Sequence, residues 1–141
     1  MNIIEKAKEF AIEKHKGQKD DEGFDYFYAH CDVVYKILCQ ITTDKNLLAS
    51  ALLHDTLEDT QTTYEELIKE FNQEVADLVN EVTHEGKKDE KGYYFPRLKS
   101  LKGIMLKLAD RLSNISRMSS WDDKRQAHYL KRTKFWKDGT D

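Results

Sequence analysis

Apolar residues return every three or four positions along nearly the whole chain, and nowhere do they alternate with polar ones for long enough to make a half-buried strand. Ile3, Ile4, Ala7, Phe10 and Ala11 share one helical face, Val33, Val34, Ile37, Leu38 and Ile41 a second, and Val75, Leu78, Val79 and Val82 a third. One proline and 6 glycines in 141 residues leave few points at which such helices must break. The pattern predicts an all-α fold, a compact helical bundle of about seven to eight helices, forming one domain over 1–141. Helices are expected at about 2–16, 27–41, 45–54, 63–71, 73–83, 104–117 and 121–137. A polar loop is expected at 18–26, a charged loop at 84–92 and a short helix within 93–101. Asp44 is expected to cap the third helix, and Thr63, three residues before Glu66, the fourth.

Composition narrows the setting. Charged residues make up 35% and hydrophobic ones 39%, which suits a soluble folded chain rather than disorder. No apolar run nears the ~20 residues of a membrane span, and MNIIEKAKEF lacks the apolar core of a signal peptide. A cytoplasmic protein with no membrane and no nucleic-acid partner is expected, since no nucleic-acid motif is present and the net charge is −3. Cys31 and Cys39, on one expected helix, lie roughly 12 Å apart. That is too far to bridge, so both are expected reduced. The charge is divided along the chain. Residues 1–86 hold 8 Lys/Arg against 19 Asp/Glu, and residues 87–141 hold 15 against 7. A basic half of this kind suits an anionic ligand, with phosphates the natural choice.

The acidic half contains the stretch SALLHDTLEDT, residues 50–60, which places His54, Asp55, Glu58 and Asp59 within six positions. Helical spacing would set Glu58 over His54 and Asp59 over Asp55. Three carboxylates so close repel one another unless a cation or bound protons compensate. A metal is the economical explanation, with His54 and Asp55 as adjacent ligands. Further ligands are available in His30, near the start of the second helix, and in Asp110, set among Leu106, Leu108, Ala109 and Leu112 where a lone carboxylate would need a partner. Two imidazoles and two carboxylates suit Mn²⁺, Fe²⁺ or Zn²⁺. A divalent ion lowers the pKa of water it binds and polarises a phosphoryl group. A neighbouring carboxylate, Glu58 or Asp59, could then take the proton.

The pattern A-L-L-H-D-x-x-E-D-T resembles the HD phosphohydrolases, and within them the RelA/SpoT hydrolase domains and the stand-alone small alarmone hydrolases. His15-Lys16-Gly17-Gln18, His30, the helix from Phe71 to Thr83 and KLADRLSN at 107–114 fit the same family in the same order, so the resemblance covers about residues 5–135. It implies His30, His54, Asp55 and Asp110 as metal ligands, usually for Mn²⁺, and assigns Glu58 and Asp59 to water activation and proton handling. It also implies a small phosphorylated nucleotide as substrate. Candidate contacts are Lys19, Lys87, Lys107, Asn114, Arg125 and Tyr129, of which Asn114 resembles a residue that meets the sugar and phosphates and the Arg125/Tyr129 pair resembles a phosphate grip. His15 is expected to orient its loop or line the pocket.

The resemblance is complete at the metal centre and departs at the substrate end. Where many relatives carry an Arg-Lys pair after HxGQ, this chain reads Lys19-Asp20-Asp21, and His30 is followed by Cys31 rather than proline. The expected activity is Mn²⁺-dependent removal of the 3′-pyrophosphate of (p)ppGpp, releasing pyrophosphate and GDP or GTP. A hydrolase without a synthetase domain is expected. The alternatives are hydrolysis of another phosphorylated nucleotide, such as the 2′-phosphate of NADPH, or a nucleotide-binding module without turnover.

Overall fold

The protein is described by a computed structural model over residues 1–88 and 94–132, with side chains described over 1–84 and 97–131. Among the described residues eight α-helices follow one another: α1 Ile3–Lys14, α2 Asp32–Cys39, α3 Lys45–Leu53, α4 Thr56–Asp59, α5 Tyr64–Glu70, α6 Gln73–Val82, α7 Leu101–Ser116 and α8 Asp123–Arg132. A π-helical turn, Phe27–Cys31, leads directly into α2, and a 3₁₀ turn, Met118–Ser120, precedes α8. No helix among the described residues is long and apolar enough to cross a membrane.

α3 is the centre of the fold. Every residue from Leu47 to Leu53 is buried, as a helix that is apolar all round must be. On one side it meets α1, the π turn, α5 and α6 through Ala7, Ala11, Phe27, Leu52, Leu67 and Val79. On the other it meets α2, α6 and α7 through Val34, Leu38, Leu47, Ala51, Leu78 and Leu106. Polar caps set where the helices begin. The Asp44 carboxylate accepts from the Leu47 amide at 3.1 Å, the Thr63 hydroxyl from Glu66 at 3.1 Å, and Asn72 from Val75 at 2.9 Å. Each such cap is worth about 1 kcal/mol.

Two expected elements differ. The segment expected as a charged loop and then a short helix contains a small antiparallel ribbon, β1 His84–Lys88 and β2 Tyr94–Pro96, pairing His84 with Pro96 and Lys88 with Tyr94 across an irregular register. Helical propensity in 93–101 gives way to cross-strand backbone pairing, which local sequence does not announce. Gly103, which falls between the helices expected at 93–101 and 104–117, instead lies inside α7. There the Ser100 hydroxyl accepts from its amide at 3.0 Å, and Glu81 receives the amides of Lys99 and Ser100 at 3.1 Å each. A Cβ on Gly103 would stand 2.0 Å from the Glu81 carboxylate, so the glycine makes room for the anchor of α7.

Candidate metal centre

The helix carrying the acidic stretch does not run through it. α3 ends at Leu53, His54 is its C-terminal cap, and Asp55 opens the four-residue α4. The expected stacking of Glu58 on His54 is therefore absent as a helical pair. The Asp59 amide does reach the Asp55 carbonyl at 2.9 Å, so that pair keeps helical register. The break has a use: it turns two consecutive side chains, His54 and Asp55, into the same interior space.

His30 reaches that space from the π turn. π turns are costly and recur at functional sites, and this one widens the backbone so that the Asp32 amide bonds to the Phe27 carbonyl. Asp110 arrives from the middle of α7. All four side chains are buried: His30 1%, His54 2%, Asp55 8% and Asp110 6% exposed. His30 Nε2 and His54 Nε2 are 3.0 Å apart. Asp110 Oδ1 lies 2.9 Å from His30 Nε2 and 3.5 Å from His54 Nε2. Asp55 Oδ2 lies 3.4 Å and 3.2 Å from the same two nitrogens. Donor atoms bound about 2.1 Å from a common ion have separations of this order.

The other ring nitrogens are engaged. His54 Nδ1 donates to the Ala51 carbonyl at 2.7 Å, and His30 Nδ1 meets the buried Ser113 hydroxyl at 2.9 Å. Such outer contacts fix ring orientation and leave Nε2 to a ligand. Electrostatics agrees. Burial alone would lower the His54 pKa, but Asp55 and Asp110 outweigh it and hold the imidazole well above its ordinary value. Burial would raise Asp110, yet Lys107 and the two histidines hold it well below the usual carboxylate range. The pocket thus demands positive charge, which a divalent cation can supply in place of a proton. The Cys31 thiol lies close to His54 and Asp55. Burial first, and then Asp55, push its pKa up, so the nitrogen and oxygen donors are the better ligand set.

Two residues that the sequence reading did not single out complete the centre. Tyr26 donates its hydroxyl to Asp55 Oδ2 at 2.6 Å, with its ring between those of His15 and His30 at centroid distances of 5.4 and 5.6 Å. Ser113, four residues beyond Ala109 on α7, holds His30. A hydroxyl-bearing residue one turn from an expected ligand was the available signal in both cases. His15 behaves as expected of an orienting residue. Its Nδ1 meets Gln18 Oε1 at 2.8 Å, and the Gln18 amide donates to the Asp59 carbonyl at 2.9 Å.

The expected catalytic carboxylates lie at the rim. Glu58 accepts from the His84 amide at 3.1 Å. Asp59 keeps an exposed side, but burial first, and then the charges of Asp55 and Glu58, push its carboxyl up to about 7. The expected substrate contacts divide into two groups. Lys107 Nζ sits 3.1 Å from Asp110 Oδ2 and donates to the Val82 carbonyl at 3.4 Å. Asn114 lies 3.5 Å from Asp110 Oδ1 and accepts from Arg117 at 2.9 Å. Arg125 and Tyr129 stand elsewhere, against Trp121, Arg111 and the 18–26 loop: Arg125 pairs with Asp21 at 2.7 Å, and Tyr129 accepts from Arg111 at 3.3 Å. Lys19 is exposed on that loop, and the side chain of Lys87 lies outside the described residues. An open cleft of about 580 Å³ between the loop and the end of α7 is lined by Asp20, Phe24, Tyr28, Ser116 and Arg117 among others, and none of the four candidate ligands borders it.

The HD domain family matches residues 7–91. The guanosine-3′,5′-bis(diphosphate) 3′-pyrophosphohydrolase of Aquifex aeolicus is 38% identical over 138 residues, covering 92% of this chain but 20% of that protein. This chain therefore spans about a fifth of that relative. The guanosine-3′,5′-bis(diphosphate) 3′-pyrophosphohydrolase MESH1 of Xenopus tropicalis is 37% identical over 142 residues, covering 91% of this chain and 79% of that one. A solved structure described as a metazoan ortholog of SpoT that hydrolyzes ppGpp superposes with a TM-score of 0.81 at 28% identity, over 94% of this chain and 82% of the other. The chain belongs to the HD domain family and is related within it to the guanosine-3′,5′-bis(diphosphate) 3′-pyrophosphohydrolases.

Proposed function

We propose that this chain is a divalent-metal phosphohydrolase, one HD domain over 1–141, that removes the 3′-pyrophosphate of (p)ppGpp in the cytoplasm. The observation that carries the proposal is the convergence of His30, His54, Asp55 and Asp110, with both histidine Nδ1 atoms engaged elsewhere. These four would hold the ion. A mixed imidazole and carboxylate set favours Mn²⁺, with Fe²⁺ and Zn²⁺ as lesser candidates. When bound, such an ion offsets charge on phosphoryl oxygens and acidifies water.

The chain's own residues would do the rest. Asp59, whose carboxyl is pushed up by burial and by the charges of Asp55 and Glu58, is placed to take a proton from the attacking water and return one to the leaving group. Glu58 would align it and hold the start of β1 against the rim. Lys107 keeps Asp110 ionised and oriented, and Asn114 beside it offers an amide to the nucleotide. Arg125, with Tyr129, Lys19 and Lys87, would meet phosphates from the outer side.

A second reading is favoured by one observation. Asp20 and Asp21 neutralise Arg117 and Arg125, which weakens the anion grip and admits a less phosphorylated nucleotide such as NADPH. The test is turnover of ppGpp by the purified protein with Mn²⁺ and with EDTA. Metal-dependent release of pyrophosphate and GDP is expected. Phosphate release from NADPH with ppGpp untouched would replace the first reading with the second.

A further inference from the structure

Helix α7 is apolar on both sides. Leu106 and Ala109 face the core, while Leu101, Ile104, Leu108 and Leu112 face outward, 73%, 38%, 51% and 53% exposed. At 100° per residue, these four and the half-buried Ile115 fall in a strip about 80° wide. A surface helix ordinarily carries charge on such a face. Here the cations of the helix are drawn away from it. Lys102 pairs with Asp44 and Glu74 at 2.6 Å each, Lys107 with Asp110 at 3.1 Å, and Arg111 with the Tyr129 hydroxyl at 3.3 Å. Beside the strip, Ile41 is 66% exposed. Together with Ile37, Met105, Leu108 and Leu112 it walls a groove of about 370 Å³ that no charged residue lines among the described residues.

The spacing of the strip is symmetric. Relative to Leu108, its members lie at −7, −4, 0, +4 and +7. Reversing the helix about Leu108 lays Leu101 on Ile115 and Ile104 on Leu112. An apolar strip that maps onto itself under reversal suits an isologous contact, in which the same patch meets itself across a two-fold axis. We propose that this face is the two-fold interface between two copies of this chain, with the α7 helices antiparallel and Leu108 meeting Leu108 of the second copy at the axis. The exposures amount to roughly 500 Å² of apolar side chain per copy, the size of a monomer's largest patch, which is often a binding surface, and would bury on the order of 1,000 Å² in the pair, the size of a weak, reversible contact. Asp110 is 200° around the helix from Leu108, so the contact leaves the candidate metal centre free.

The experiment is sedimentation velocity over a dilution series for the wild type and Leu108→Glu, with thermal melts of both. A dimer that dissociates on dilution, and a Leu108→Glu protein that is monomeric and melts like the diluted wild type, are expected. A second variant covers the case in which Leu108→Glu misfolds. Leu108→Cys in a Cys39→Ser background should form a covalent dimer on mild oxidation, whereas Glu9→Cys in the same background, on the exposed side of α1, should not. A wild type that is monomeric throughout, or a dimer that survives Leu108→Glu, would overturn the proposal. So would a monomer that Leu108→Glu destabilises, since the strip would then be covered from within one chain.

Discussion

Arg125 on α8 and Asp21 on the loop after α1 are joined across 2.7 Å, and the guanidinium stacks 3.9 Å from the centroid of the Trp121 ring. The same loop contributes Asp20 to Arg117 at 3.4 Å. Two arginines of the basic half are thus occupied by carboxylates of the loop in which the resemblance would have placed an Arg-Lys pair.

Both partners of the Arg125–Asp21 pair are about half exposed, and such a pair contributes less than about 1 kcal/mol. A polyanionic nucleotide can therefore displace Asp21, at the cost of that pair. Asp21→Asn should lower the KM for the phosphorylated nucleotide by about two- to fivefold and leave kcat unchanged. Steady-state kinetics at low ionic strength checks it, and an unmoved KM would remove Arg125 from the substrate site.

Tyr26 holds Asp55 by a 2.6 Å hydrogen bond from inside the protein. Loss of an outer partner of this kind commonly weakens metal binding by about 10- to 100-fold. Tyr26→Phe should reach that range in a direct metal titration while the fold, read by circular dichroism, is kept. Unchanged metal affinity would show that Asp55 is oriented without it.

Glu58 and Asp59 sit at the rim and outside the converging donor set, so their loss should separate binding from chemistry. Asp59→Asn and Glu58→Ala should retain bound metal, measured by elemental analysis, and lose most turnover. Metal loss in either variant would make that residue a ligand. Asp110→Ala should lose metal and turnover together.

The Asp59 carboxyl titrates near 7 because it is partly buried and faces Asp55 and Glu58. A cation among the ligands opposes those two charges, so metal should move this titration downward. Carboxyl NMR of the metal-free protein should show a midpoint near 7 that falls on adding diamagnetic Zn²⁺. A midpoint indifferent to the ion would place Asp59 outside its field.

Asp44 caps α3, and its carboxyl is held below the usual range by Lys102 first and then by the Leu47 amide. A depressed carboxyl stabilises the fold above its unfolded value of about 4, and that contribution is lost as pH falls through the lower folded value. Asp44→Ala should cost about 1 kcal/mol at neutral pH, a few degrees of melting temperature. The gap from wild type should close as the medium is acidified below about pH 4. A gap independent of pH would mean the carboxylate charge plays no part.

Much of this protein is written locally. The 3–4 spacing of apolar residues determines the helices and the all-round apolarity that sends α3 to the centre. Asp44, Thr63 and Asn72 determine where three helices start, because a cap needs only its own next three residues. His54, Asp55 and Asp110 were legible for a similar reason, since His and Asp on apolar runs require partners wherever they end up, whereas His30 was picked out by the order and spacing of the motifs in the family the chain resembles.

What local pattern could not determine depends on residues far apart in the chain. The π turn that aims His30 and the break that aims His54 and Asp55 together arise where packing against α3 and α7 overrides helical register. Tyr26 and Ser113 matter because of what lies 29 and 83 residues away. The pairing of His84–Lys88 with Tyr94–Pro96 and the tethering of Arg125 by Asp21 across 104 residues carry no short-range signal at all. Hydrophobic periodicity acts within a few turns, whereas an ion pair or a ligand sphere exists only once the chain has folded around it.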